Sequence, residues 1–254
     1  MRKTKKFLAV VAATVSVLAL AGCGKKEETK TLVIGTNAEF PPFEFVVSSG
    51  VIDKYDGVDM AIAKQLAEDM GLEPKVENME FDSTLIALQN GQVDIVASGM
   101  TIDPERAEEV DFSVPYFVAT QVMIVKEDSA IAKASDMEDK KIVVIQGYTG
   151  ETCVRKLGYK YEAFKKGTEA VMELINGKCD VVVIDSATAL SYIGDNEGLK
   201  AVYDNEAFGS EEYGIAVQKG NKELLDKVNE TLNRMLSDGT IDKLVKKYGE
   251  VDAE

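Results

Sequence analysis

The alternation of apolar and polar positions divides the chain into a short leader and a body of recurring strands and helices. Arg2, Lys3, Lys5 and Lys6 precede an apolar run from Phe7 to Leu20, interrupted only by Thr14 and Ser16. This run is too short to span a bilayer as a helix and predicts a cleavable export signal over residues 1–22. Thr31 to Gly35 is an apolar stretch ended by glycine and predicts a buried strand. From Val58 to Met70, Met60, Ile62, Ala63, Leu66 and Ala67 recur at helical spacing, which predicts an amphipathic helix closed by Gly71. Val76 to Phe81 and Lys141 to Ile145 read as further strands.

The body also repeats itself. Leu88-Gln89-Asn90-Gly91-Gln92-Val93-Asp94-Ile95-Val96 is echoed 86 residues later by Leu174-Ile175-Asn176-Gly177-Lys178-Cys179-Asp180-Val181-Val182. Asp82 and Thr168 stand at equivalent positions upstream and are the expected N-caps of helices that each end at Asn-Gly. Two similar α/β halves follow from this echo. In open parallel sheets ligands bind beyond the carboxyl ends of the strands, where loops and helix N-termini converge. The first echoed strand leads to Ser98-Gly99-Met100-Thr101 and then Asp103-Pro104-Glu105-Arg106; the second, Val181 to Ile184, ends on Asp185-Ser186. Facing one another, these ends set a cation against an anion.

Composition narrows the choice of function. The 254 residues are 45% apolar and 29% charged, as expected of a soluble globular protein with a substantial core. A formal charge of −15 repels phosphate backbones, so nucleic acid is not an expected partner. There is no histidine, which removes the commonest general base, the usual catalytic zinc ligands and every Ser-His or Cys-His nucleophile. No catalytic residue, cofactor or metal site is expected. Of three cysteines, Cys23 lies at the end of the leader, and Cys153 and Cys179 are either bridged or two isolated thiols, the simpler reading.

Several residues carry candidate chemistry at the strand ends. Asp103 followed by Pro104 forms a helix start that puts Arg106 in the first turn, where a planar guanidinium suits a carboxylate. An ordinary helix start with a solvated arginine uses the same residues. Asp185 closes an apolar strand and needs a cation or donors, and a ligand ammonium is one such cation; it also fits the N-cap of a helix starting near Ala187. Gln146-Gly147-Tyr148-Thr149-Gly150-Glu151 joins a strand to a helix and offers hydroxyl and backbone donors, or is only a connection. Phe40-Pro41-Pro42-Phe43 and Phe81 supply rings for an aliphatic or cationic side chain, or for the core.

Two resemblances add to this reading. Leu20-Ala21-Gly22-Cys23 resembles the lipobox of bacterial lipoproteins, which implies cleavage before Cys23 and a diacylglyceryl group on its sulfur. As a set, Phe40 to Phe45, Gly57-Val58-Asp59, Met79 to Asp82, Ser98 to Arg106, Val110 to Ser113 with Pro115-Tyr116, and Tyr213-Gly214-Ile215-Ala216 resemble the polar amino-acid-binding proteins of bacterial ABC importers. That family implies a type II periplasmic-binding-protein fold, α/β, with two mainly parallel lobes joined by hinge strands near Tyr116–Gln121 and Ser210–Gly214. The implied organisation is a signal over 1–22, a lipidated tether over 23–30, lobe 1 over 31–117, lobe 2 over 118–210, and a return to lobe 1 over 211–254.

The resemblance also implies roles. Arg106 would clasp the ligand carboxylate with Thr101, Thr149 and Gly150, Asp185 and the Gly99 carbonyl would hold the ammonium, and Phe40 and Phe81 would flank the side chain. Ser98 and Gln146 belong to the same candidate site. Relatives that select cationic side chains often have an acid at the position of Asn37, for which Glu39 could substitute. The implied partners are an amino acid, an importer permease and, through Cys23, the outer face of the cytoplasmic membrane or the periplasm, with the protein a monomer. The alternative is a dehydratase-like enzyme on the same fold, which needs an acid or base over the ligand; a membrane-bound sensor would need a spanning segment after the lobes, and no apolar run of that length follows residue 22.

Overall fold

The computed structural model describes residues 30–249, so the export signal and Cys23 lie outside the described residues. Two five-stranded mixed sheets organise the chain. In the first, the strand Thr31–Thr36 pairs in parallel with Glu73–Asn78 on one side and Ile95–Val96 on the other. Ala216–Gln218 and Val110–Phe112 continue it in antiparallel pairing. The second has the same plan: Ile142–Ile145 lies between Tyr161–Phe164 and Val181–Asp185, followed by the antiparallel strands Gln121–Lys126 and Leu199–Tyr203. Ile142–Ile145 and Val181–Asp185 are buried at every position, as the unbroken apolar runs Ile142–Ile145 and Val181–Ile184 require when helices cover both faces.

The echo has a structural counterpart. The helices Phe81–Gln89 and Gly167–Ile175 are both nine residues long, stop at Asn90 and Asn176, and hand over to left-handed Gly91 and Gly177. Each starts earlier than the capping rule suggests. Glu80 and Lys166 are the N-caps, and Asp82 and Thr168 sit inside the first turn. Asp82 is drawn away from capping because its carboxylate accepts from Gln146 Nε2 of the other lobe at 2.9 Å. The strand expected to reach Phe81 ends at Asn78, and Phe81 opens the helix, with Thr84 Oγ1 donating to its carbonyl at 2.7 Å.

Two further features position the site. Phe117–Ala119 and Glu211–Tyr213 pair as a short antiparallel ribbon outside the two large sheets, and beyond it the helices Lys222–Ser237 and Thr240–Gly249 pack on Val58–Met70. The Val58–Met70 helix has no side-chain cap, and its first N–H groups donate instead to Pro42 O at 3.1 Å and Phe43 O at 2.9 Å. Gly57 makes this possible: its φ of 122° is foreign to other residues, and a Cβ there would lie 2.2 Å from Phe43 O. The aromatic loop is thereby locked to the helix. Cys153 and Cys179 are free thiols. No helix among the described residues is long and apolar enough to cross a membrane.

Candidate functional site

The carboxyl ends of the two sheets face one another across a small cavity. Phe40, Phe81, Ser98, Gly99, Thr101 and Arg106 line it from the first lobe, and Tyr148, Thr149 and Asp185 from the second. Its empty space, open solvent included, is about 210 Å³. Polar bonds hold the lobes together around it. Arg106 Nη2 donates to Gly147 O at 3.0 Å, Tyr148 OH to Asn37 Oδ1 at 2.9 Å, and Tyr192 OH to Glu39 O at 3.0 Å. The conformation is closed.

Arg106 stands where the Asp103-Pro104 helix start puts it, with Asp103 Oδ1 accepting from Glu105 N at 2.8 Å and Arg106 N at 3.3 Å. Its guanidinium donates to two backbone carbonyls, Thr101 O and Gly147 O, and lies 5.2 Å from the centre of the Phe81 ring. Burial lowers its pKa, while Asp103, Asp185 and Glu211 oppose that shift. Its charge is thus neutralised at a distance and by no direct carboxylate partner among the described residues.

Asp185 is 3% exposed and sits at the N-cap of Ser186–Gly194 without making a side-chain cap bond. It accepts from Tyr213 OH instead, and its pKa is raised to about 7, first by burial and then by the neighbouring charge of Glu211. A carboxyl in this setting is short of positive charge.

The loop carrying Ser98 and Gly99 rests on a buried acid pair. Glu44 and Asp59 are both fully buried. Ser98 Oγ donates to Glu44 Oε1 at 2.9 Å, Gly99 N to Asp59 Oδ2 at 2.8 Å, and Tyr116 OH to Asp59 Oδ1 at 2.7 Å. Burial and the nearby Asp59 push Glu44 well above the carboxylate range, whereas donors hold Asp59 to about 6. Both carboxyls are raised by burial, and the pair fixes the loop from behind.

The remaining candidates lie around this centre. Gly150 packs under it, where a Cβ would stand 2.7 Å from Val183 O, so its lack of a side chain serves helix–strand approach. Asn37 and Glu39 border an adjoining opening of about 740 Å³, solvent included, and Glu39 pairs with Lys166 of the second lobe at 3.4 Å. Gln146 bonds Asp82 and does not line the cavity.

Over residues 32–251 the chain matches the bacterial extracellular solute-binding proteins, family 3. It belongs to that family. The arginine-binding extracellular protein ArtP of Bacillus subtilis (strain 168) is 34% identical over 96% of this solute-binding protein and 98% of its own length. A probable histidine-binding protein of Neisseria gonorrhoeae is 35% identical, over 96% and 95%. Among solved structures, the arginine-, lysine-, histidine-binding protein ArtJ from Geobacillus stearothermophilus superposes with a TM-score of 0.80 at 36% identity, covering 86% of this chain and 95% of that one. The type II two-lobed fold and the extracytoplasmic family follow together.

Three parts of the site in this solute-binding protein are not prominent in its sequence. Glu211, on the second hinge strand, accepts from Thr149 Oγ1 at 2.7 Å, Thr101 Oγ1 at 3.1 Å and Gln121 Nε2 at 3.2 Å. Both threonine hydroxyls expected at the ligand thus converge on one hinge carboxylate. Tyr148 enters the cavity as a ring rather than a hydroxyl donor. The Glu44–Asp59 pair stands in the Phe40–Phe45 and Gly57–Asp59 motifs, but only burial shows that its carboxyls matter.

Proposed function

We propose that the protein captures the zwitterionic head of an amino acid between its lobes and delivers it to an ABC importer. The carrying observation is the opposition of two charges on one cavity: Arg106 of the first lobe is bonded to backbone carbonyls and has no carboxylate partner among the described residues, and Asp185 of the second has a carboxyl starved of a cation. An α-carboxylate on Arg106 and the first-turn N–H groups of Thr149–Lys156, with an α-ammonium on Asp185, satisfies both at once. Because the partners sit on different lobes, only a molecule that carries both charges favours the closed state over the open one. The ammonium also relieves the repulsion between Asp185 and Glu211, which makes Glu211 an indirect partner of the ligand. The names of the relatives support an amino acid as cargo.

Isothermal calorimetry of lipid-free protein against the twenty amino acids and cystine tests this reading. At least one is expected to bind well below millimolar, and silence from all of them overturns it. A carboxyl near pKa 7 also suits a general acid, the need of the dehydratase-like alternative. Recovery of the bound amino acid unchanged after prolonged incubation decides for binding.

Cys23 is proposed as the lipidated residue that tethers the protein to the outer face of the membrane, on the strength of Leu20-Ala21-Gly22-Cys23 behind the basic and apolar leader. Cys23→Ser is expected to move the protein from the membrane fraction to the soluble fraction of fractionated cells. A variant that stays with the membrane rejects the anchor.

A further inference from the structure

Phe40 and Phe81 form an aromatic slot beside the opposed charges, and the slot is filled by a residue of the protein itself. The Tyr148 ring stands 4.6 Å from Phe81 and 5.3 Å from Phe40, centre to centre, edge-on to both. It is 5% exposed. Its hydroxyl crosses to the first lobe and donates to Asn37 Oδ1.

Tyr148 is also a partition. Its ring borders the cavity that holds Arg106 and Asp185, while the Asn37 it bonds borders a second, larger opening. A side chain extended from the ligand's α-carbon between Phe40 and Phe81 meets this ring. At that opening, Glu39 is engaged with Lys166. Glu80 also borders the opening. Displacing the ring costs two aromatic contacts and the bond to Asn37, and leaves the Asn37 amide oxygen without its donor.

We propose that Tyr148 is the specificity-determining residue of this site and restricts it to amino acids with short, uncharged side chains. This rests on the amino-acid reading above and sharpens it: the head of the ligand is recognised by Arg106 and Asp185, and its length by Tyr148. The arginine- and histidine-binding relatives do not carry over to the cargo of this chain.

The test is calorimetry of the wild-type protein, Tyr148→Ala and Tyr148→Phe with glycine, alanine, serine, glutamine and arginine. The wild type is expected to bind alanine or serine at least about tenfold more tightly than arginine, a difference of about 1.4 kcal/mol. Tyr148→Ala empties the slot between Phe40 and Phe81 and is expected to tighten arginine about tenfold or more, while Tyr148→Phe keeps the wild-type order because the ring remains. Wild-type protein that binds arginine as tightly as alanine overturns the proposal and leaves the amino-acid reading intact. So does an unchanged order in a folded Tyr148→Ala. Should that variant fail to melt cooperatively, the wild-type and Tyr148→Phe series decide alone. No heat from any of the twenty amino acids or cystine with the wild type overturns the amino-acid reading, and this proposal with it.

Discussion

Arg106→Ala weakens amino-acid binding by about a hundredfold or more while leaving the fold in place. The magnitude follows from what is removed: two charge-assisted hydrogen bonds to a carboxylate, each contributing about 1.5 to 3 kcal/mol. The fold survives because the side chain forms no ion pair with the protein; it gives up hydrogen bonds to Thr101 O and Gly147 O and its stacking on Phe81. Asp103 continues to cap the helix through backbone N–H groups that the substitution does not touch. Arg106→Lys separates charge from geometry, since lysine keeps the cation and loses the fork, and its affinity is expected to fall between those of the wild type and Arg106→Ala. Calorimetry gives the affinity and a thermal melt gives the fold. An alanine variant that binds within about threefold of wild type removes Arg106 from the carboxylate site.

The sequence revealed features carried by regular spacing and hid those made by side chains meeting across lobes. The repeat of Leu88–Val96 in Leu174–Val182 corresponds to two helices of equal length and two equivalent strands, because the helical period and the Asn-Gly stop are local properties. The same offset puts Gly99 opposite Asp185 in the two halves, which is why both strand ends arrive at one cavity. Local rules failed where a distant partner intervened. Asp82 looks like a cap and serves Gln146 instead, and Glu39 looks like a free acid and is paired with Lys166. Tyr148 was visible only as part of a Gly-Tyr-Thr connection; that its ring turns between Phe40 and Phe81 depends on closure of the lobes. Glu211 is one of two adjacent glutamates before Tyr213, and strand alternation alone does not say which of them faces the cavity.

Asp185→Asn is expected to abolish tight binding and, in the absence of ligand, to stabilise the protein at pH 8. Asparagine keeps an oxygen for Tyr213 OH and the volume of the side chain, so the substitution removes mainly the charge. The folded-state pKa of about 7 lies above the ordinary aspartate value of 3.8, so between these pH values the folded chain holds a proton that the unfolded chain has released. The stability conferred by that proton is present at low pH and is lost as pH rises through about 7, where the buried carboxylate must ionise beside Glu211. Each tenfold displacement of an ionisation equilibrium corresponds to about 1.4 kcal/mol, so at pH 8 the charge costs the unliganded protein on the order of a few kcal/mol. Asp59 and Glu44 bend the curve in the same direction, and comparison of the variant with wild type cancels them. The melting temperature of Asp185→Asn relative to wild type is therefore higher at pH 8 than at pH 5. The ligand reverses the order: an ammonium on Asp185 offsets the cost in the wild type and finds no charge in the variant, so saturating amino acid raises the melting temperature of the wild type alone. By the same linkage, wild-type affinity weakens as pH falls below about 7, because the carboxyl must lose its proton to pair with the ammonium. Wild-type affinity in the variant, or a stability difference that does not change between pH 5 and pH 8, rejects Asp185 as the ammonium partner. The charge that makes the empty site costly is the one that makes the filled site close.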